Sequence, residues 1–204
     1  MKTTAILFST LLTLAVAAPV AASPEVGAPA PTFTGVTSNG ESVALEDLRG
    51  KTVVLEWTNH DCPYVKKHYE TGNMQTLQKD ATGDGIVWLS VISSAPGTQG
   101  HVSPDMANTL TSDREAAPSH VILDEAGTIG RAYSAQTTPH MYVIDPEGTL
   151  IFMGGIDDKP SANKNTVEGA NNYVRAALDS LSNGTPVEAP VTRPYGCSVK
   201  YKNA

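Results

Sequence analysis

The chain has 204 residues and a formal net charge of −7, enough for one full domain. An acidic balance without a long basic run excludes nucleic acid and anionic membrane as natural partners. Two cysteines are too few for a disulfide-stapled scaffold, so Cys62 and Cys197 form either one crosslink or a reactive centre.

Residues 1–22 read as a secretory signal. Lys2 gives a positive start, Ala5 to Ala18 is apolar or small, and Val20-Ala21-Ala22 offers the small-x-small pattern of signal cleavage. Cleavage is expected after Ala22, with Ala17 as the alternative. The run is too short for a membrane span, and no later stretch approaches about 20 apolar residues. The mature chain is therefore expected to be periplasmic or secreted, with no membrane span. Residues 23–31 read as a Pro/Ala linker, residues 32–183 as the domain, and residues 184–204 as a tail carrying Cys197.

Phe33 to Val36 is a candidate strand, followed by the hairpin signal Asn39-Gly40. Val43 to Gly50 reads as a short strand and one helical turn. Thr52 to Trp57 is β-branched and apolar, the pattern of a buried central strand. Cys62 then stands before Pro63, which suits the first turn of a helix; that helix carries Val65, His68, Tyr69, Met74 and Leu77 past a kink near Gly72. Ile86 to Ile92 is a second buried strand, Pro104 to Asp113 a second helix, and Val121 to Leu123 a short strand. Met141 to Asp145 and Leu150 to Met153 form a hairpin across Pro146-Glu147-Gly148. A last helix is expected over Asn165 to Leu181, closed by Asn183-Gly184. The order predicts an α/β fold with a central mixed β-sheet flanked by helices.

Cys62 sits at an exposed strand-to-helix turn, where helix N–H groups and the helix dipole stabilise a thiolate. His60, two residues earlier, is placed to lower the Cys62 pKa when protonated or to relay a proton. Trp57, next to the turn, is read as core, with a role in lining the site as the functional alternative. Lys66, Lys67 and Glu70 read as a solvated helix face, and Asp157-Asp158 as a loop charge pair. A Cys62, His60 and His140 cluster is the alternative that would bind copper or zinc, but its spacing matches no compact metal motif; no metal site and no cofactor are assigned.

Trp57-Thr58-Asn59-His60-Asp61-Cys62-Pro63-Tyr64-Val65 resembles the active-site segment of the thioredoxin superfamily. More closely, it is similar to exported peroxiredoxin-like redoxin domains related to alkyl hydroperoxide reductase/thiol-specific antioxidant proteins. Thr138-Pro139-His140 to Gly148 resembles that group's cis-proline loop, strand and turn. The likeness runs from about Val26 to Leu181. It implies a thioredoxin-like fold, with Cys62 as nucleophile and the backbone at Thr138 and Pro139 offered to a substrate chain. Expected partners are a protein disulfide, thiol or peroxide substrate and an external thiol reductant. The sequence departs from the family where Val65 stands three residues after Cys62, which removes the local resolving thiol of Cys-x-x-Cys proteins. By the same alignment the peroxidatic cysteine of peroxiredoxins falls at Val65 and their site arginine at about Pro139.

Cys197 would then be the resolving or disulfide partner. Gly196 before it gives the backbone freedom for a close approach. Three arrangements remain open on sequence: a static disulfide, contributing roughly 5 kcal/mol by chain entropy; a redox-active pair; or two thiols that never meet. The functional reading is an exported thiol–disulfide or antioxidant-type oxidoreductase. The alternative is a non-catalytic redoxin-fold protein that binds a metal or partner and carries a structural Cys62–Cys197 disulfide.

Overall fold

The computed structural model describes residues 23–202; the expected signal segment, residues 1–22, lies outside them. In chain order the first elements are strands β1 (Thr34–Val36), β2 (Ser42–Ala44) and β3 (Val53–Trp57), then helices α1 (Pro63–Glu70) and α2 (Asn73–Gly83). Next come β4 (Val87–Ile92), α3 (Pro104–Asp113), β5 (His120–Leu123) and the short helix α4 (Thr128–Ala132). The chain closes with β6 (Thr137–Thr138), β7 (His140–Ile144), β8 (Leu150–Gly154), α5 (Tyr173–Ser182) and β9 (Cys197–Ser198).

Five strands form the main sheet in the order β5-β4-β3-β7-β8. β3, β4 and β5 pair in parallel, while β7 runs antiparallel to β3 and β8 antiparallel to β7. This is the expected central mixed sheet of an α/β fold. Side chains alternate across a strand, and the alternation divides the core. Val53, Leu55 and Trp57 enter one layer with Leu89, Val91 and Tyr142, covered by Val43, Leu45, Ile129 and Tyr133. Val54, Trp88, Met141, Val143 and Phe152 enter the other, covered by α1, α2 and α5 through Val65, Met74, Leu77, Val174 and Ala177. Cys62 belongs to this second layer. No helix among the described residues is long and apolar enough to cross a membrane.

Four expectations change. Gly72 is left-handed (φ 74°), so the expected kink is a full break between α1 and α2. The expected helix from Asn165 begins only at Tyr173: Gly169 is left-handed, and the Asn172 side chain caps the helix by accepting the Arg175 N–H. The proline-rich stretch expected as a linker is docked, with Gly27 and Ala30 donating backbone hydrogen bonds to Leu150 and Gly148. Lys67 is not solvated. It is buried with Asp157, because α1 turns that side of its surface toward the loop after β8.

Candidate active site

The Cys62 turn is shaped by Asn59. Its side-chain oxygen accepts the Asp61 N–H at 2.9 Å and its carbonyl accepts the Cys62 N–H at 3.1 Å. Cys62 becomes the N-cap residue of α1 with Pro63 in the first turn, and its own carbonyl receives the Lys66 N–H. The sequence-level expectation of a cysteine at a helix N-terminus holds. Its expected exposure does not: Cys62 is 0% exposed.

What covers it comes from far along the chain. The Thr138-Pro139 bond is cis, and the Thr138 carbonyl oxygen lies 3.1 Å from Cys62 Sγ, where it accepts the thiol proton. β9 pairs antiparallel with β6, setting Cys197 opposite Thr138 and Ser198 opposite Thr137. Gly196 is packed so tightly that a Cβ there would lie 2.0 Å from the Thr138 oxygen. The pairing thus sets Cys197 across from Thr138, the residue whose carbonyl meets the Cys62 thiol. Both cysteines are free thiols.

Their acidities are split. Burial pushes the Cys62 thiol up, but donors that favour the thiolate outweigh it: the Cys197 thiol, the Thr138 side chain, and the Cys197 and Val65 backbone N–H groups. The net shift is downward. The Thr138 hydroxyl is buried and has no other partner among the described residues, so a thiolate at Cys62 would satisfy it. Cys197 is pushed up to about 11 by burial and by the neighbouring Cys62. Of the two thiols, Cys62 is therefore the one that ionises first.

Trp57, His60 and His140 make no hydrogen bond to Cys62 among the described residues. Trp57 is fully buried on the opposite face of the sheet, donating to Ser93 Oγ at 3.0 Å and packing on Tyr133 and Tyr142. With no accessible surface it cannot line the site; the two-residue period of β3 dictates that. The His60 imidazole faces the Asp61 carboxylate at 3.4 Å. Burial holds its pKa below the ordinary value against the pull of Asp61, which disfavours an imidazolium beside Cys62. His140 stacks 4.6 Å from the Tyr142 ring in the other core layer, with its pKa lowered to about 4 by burial. The imagined Cys62, His60 and His140 cluster is therefore split between the two sides of the sheet.

A polar cluster beneath the tail was missed. Tyr195 donates to Asp157 Oδ1; Asp157 Oδ2 lies 3.4 Å from Lys67 Nζ, and Lys67 also donates to the Lys159 carbonyl at 3.0 Å. His68 Nε2 lies 3.3 Å from the Tyr195 hydroxyl, and Asn73 Nδ2 lies 2.8 Å from His68 Nδ1. Asn73 as donor fixes the tautomer with hydrogen on Nε2. No spacing in the sequence announces this group, since its members come from α1, α2, the loop after β8 and the tail.

A family model described as AhpC/TSA matches residues 26–153. The chain belongs to the AhpC/TSA family. Within that family match lie Cys62, Thr138 and Pro139; Asp157, Tyr195 and Cys197 fall beyond it. A protein named peroxiredoxin bcp from Coxiella burnetii is 29% identical over 135 residues, covering 62% of this chain and 85% of the relative. Thiol-disulfide oxidoreductase ResA from Bacillus subtilis is 28% identical over 125 residues, 61% of this chain and 64% of its own length. Among solved structures, a conserved protein from Geobacillus kaustophilus superposes with a TM-score of 0.76 at 26% identity, over 88% of this chain and 94% of that one. The fold is thioredoxin-like, as the sequence resemblance implied.

Proposed function

We propose that this AhpC/TSA protein is an exported thiol–disulfide oxidoreductase in which Cys62 is the nucleophile and Cys197 the resolving thiol. The observation that carries the reading is the paired geometry: Cys62 at the start of α1 meets the Thr138 carbonyl, and β9 sets Cys197 opposite that same Thr138, with the Cys62 pKa lowered and the Cys197 pKa raised. Export rests on the N-terminal sequence pattern at residues 1–22.

The Cys62 thiolate attacks one sulfur of a substrate disulfide, forming a mixed disulfide and expelling the other sulfur as a thiolate. Cys197 loses its proton to that departing thiolate or to water and attacks Cys62 Sγ. The second substrate thiolate leaves, and the protein is left with a Cys62–Cys197 disulfide. Two electrons have passed from the cysteine pair to the substrate, and an external dithiol returns them. Thr138 and Pro139 form the edge on which a cysteine-bearing strand lies, the role the tail fills here. His60 and Trp57 have no part in these steps.

Oxidised glutathione tests the scheme directly. The reduced wild type should consume one equivalent, release two thiols and finish with an intramolecular disulfide. Cys197→Ser should stop with glutathione attached to Cys62, and Cys62→Ser should not react. An adduct on Cys197 in the Cys62→Ser variant at the wild-type rate would overturn the assignment of the nucleophile. Peroxide is the rival oxidant suggested by the family; a faster reaction of Cys62 with hydrogen peroxide than with the disulfide would favour it.

A further inference from the structure

Cys62 has no exposed surface, so no substrate sulfur reaches it while β9 is seated. Something must both hold the tail closed and let it go. Several contacts anchor the far end of the tail to other parts of the fold: Ala95 N–H to the Lys200 carbonyl, Val199 N–H to the Gln136 carbonyl and the Tyr201 hydroxyl to the Ala135 carbonyl. On the near side, Met153 of β8 donates its N–H to the Pro190 carbonyl and accepts the Thr192 N–H. Tyr195 is different, because it grips α1, the helix that Cys62 begins. Its ring packs edge-on to Tyr64 at 5.9 Å and lies 5.5 Å from Lys67 Nζ. Its hydroxyl ends a directed chain from Asn73 through His68 and passes its own hydrogen to Asp157.

We infer that Tyr195 is a positioning residue: its hydroxyl, latched to buried Asp157 between Lys67 and His68, holds Cys197 on Cys62, and release of this latch uncovers Cys62. Three observations support this. Asp157 and Lys67 are both buried, so the acceptor for Tyr195 is a fixed, desolvated carboxylate already bound to α1. Only Gly196, packed against the Thr138 carbonyl, separates Tyr195 from Cys197, so a displacement at the latch lies two residues from the sulfur. A cavity of about 510 Å³ lined by Thr137, Asp158, Arg193, Tyr195 and Gly196 gives the tail space to move without repacking the core. The inference builds on the proposed exchange between the two cysteines, since positioning Cys197 has a catalytic meaning only there.

Tyr195→Phe keeps the ring and deletes the hydrogen bond. A hydrogen bond to a charged group is strong enough to shift an equilibrium roughly ten- to a hundredfold. Two readouts follow, both on the full chain. The equilibrium constant for closing the Cys62–Cys197 disulfide against glutathione should fall about tenfold or more. The plateau rate of Cys62 alkylation by iodoacetamide, taken above the thiol pKa, should rise by a similar factor. Asp157→Asn attacks the same bond from the other side, and the double variant should do no more than the stronger single one.

A tyrosine that merely packs would lower the unfolding midpoint while leaving both readouts at wild-type values. That result in a folded Tyr195→Phe protein overturns the inference and leaves the proposed function standing. If the wild type itself makes no intramolecular disulfide, the proposed function fails. The alkylation rate, which needs only the Cys62 thiol, then still decides whether the latch covers it.

Discussion

Replacing Gly196 by alanine asks whether backbone contact alone keeps the tail cysteine on Cys62. Gly196 has φ 137°, and the added Cβ would lie 2.0 Å from the Thr138 oxygen and 2.8 Å from its carbonyl carbon. Carbon contacts relax at about 3.5–4.0 Å. Both opposing atoms are backbone, so neither can rotate aside, and the strands must part by roughly 1 Å or more. The strained φ adds about 1–3 kcal/mol for a non-glycine residue. Against this stands the short β6–β9 ladder, with each bond contributing about 1 kcal/mol. The clash wins, and residues 196–198 should lift locally. The Tyr195–Asp157 and Tyr201–Ala135 contacts remain to hold the flanks. The expected cost is about 2–3 kcal/mol, or roughly 5–10 °C in Tm for a domain of this size.

The chemistry should respond through access. Lifting β9 removes the Cys197 donors that lower the Cys62 pKa and also relieves the burial that raises it, so the two effects oppose each other in the midpoint. The plateau rate of Cys62 alkylation, taken above the thiol pKa, has one direction: it should rise because the sulfur is uncovered. Mass spectrometry of iodoacetamide-treated protein over a pH series reads it. A folded Gly196→Ala protein with the wild-type plateau would refute the claim that β9 covers Cys62.

Glu56 offers a test of the core beneath the site. Its carboxylate accepts from the Tyr69 hydroxyl, the Gln78 amide, the Trp88 indole and the Ser90 hydroxyl, all within 3.0 Å, at a fully buried position in β3. Glu56→Ala strands these donors and should cost about 4 kcal/mol or more in urea unfolding, with Glu56→Gln losing less; an Ala variant within 1 kcal/mol of wild type (about one ordinary hydrogen bond) would contradict the network's importance. Acid sensitivity follows from His68 and His140, whose folded-state pKa values are both depressed to about 4 from 6.5 by burial. The unfolded chain binds these protons first, so stability is full above about 6.5, declines as pH falls toward 4, and levels off below. Each residue contributes up to roughly 3 kcal/mol over that window. Urea midpoints at several pH values between 7 and 4 should fall together with pH, and a flat series would exclude buried neutral imidazoles.

The sequence by itself determined the elements whose cause is local. β-Branched runs at Val53 to Trp57 and Val87 to Ile92 can be buried only as central strands, and Pro63 has its place in a helix's first turn. The hairpin at Asn39-Gly40 and the helix stop at Asn183-Gly184 were legible for the same reason, because each turn is a property of a few adjacent residues. Cys62 at the head of α1 and the loop at Thr138-Pro139 followed from these and from the family resemblance.

What tertiary structure decided lies between segments distant in the chain. Lys67 and Asp157 are hydrophilic in any local reading, and each can be buried only because the other is there. Asn165 and Val167 continue an apparent helical period, yet a left-handed Gly169 and the Asn172 cap move the helix start to Tyr173. Trp57 and Cys62 are near neighbours in sequence, but strand alternation and the path of α1 put them on opposite faces of the sheet. The tail is the largest case. No period or motif over residues 190–202 specifies its docking, because its partners are a carbonyl at Thr138, a carboxylate at Asp157 and a sulfur at Cys62. Residue types place Cys62 at the head of a helix; only the folded chain brings the Cys197 segment up to the Thr138 carbonyl that meets it.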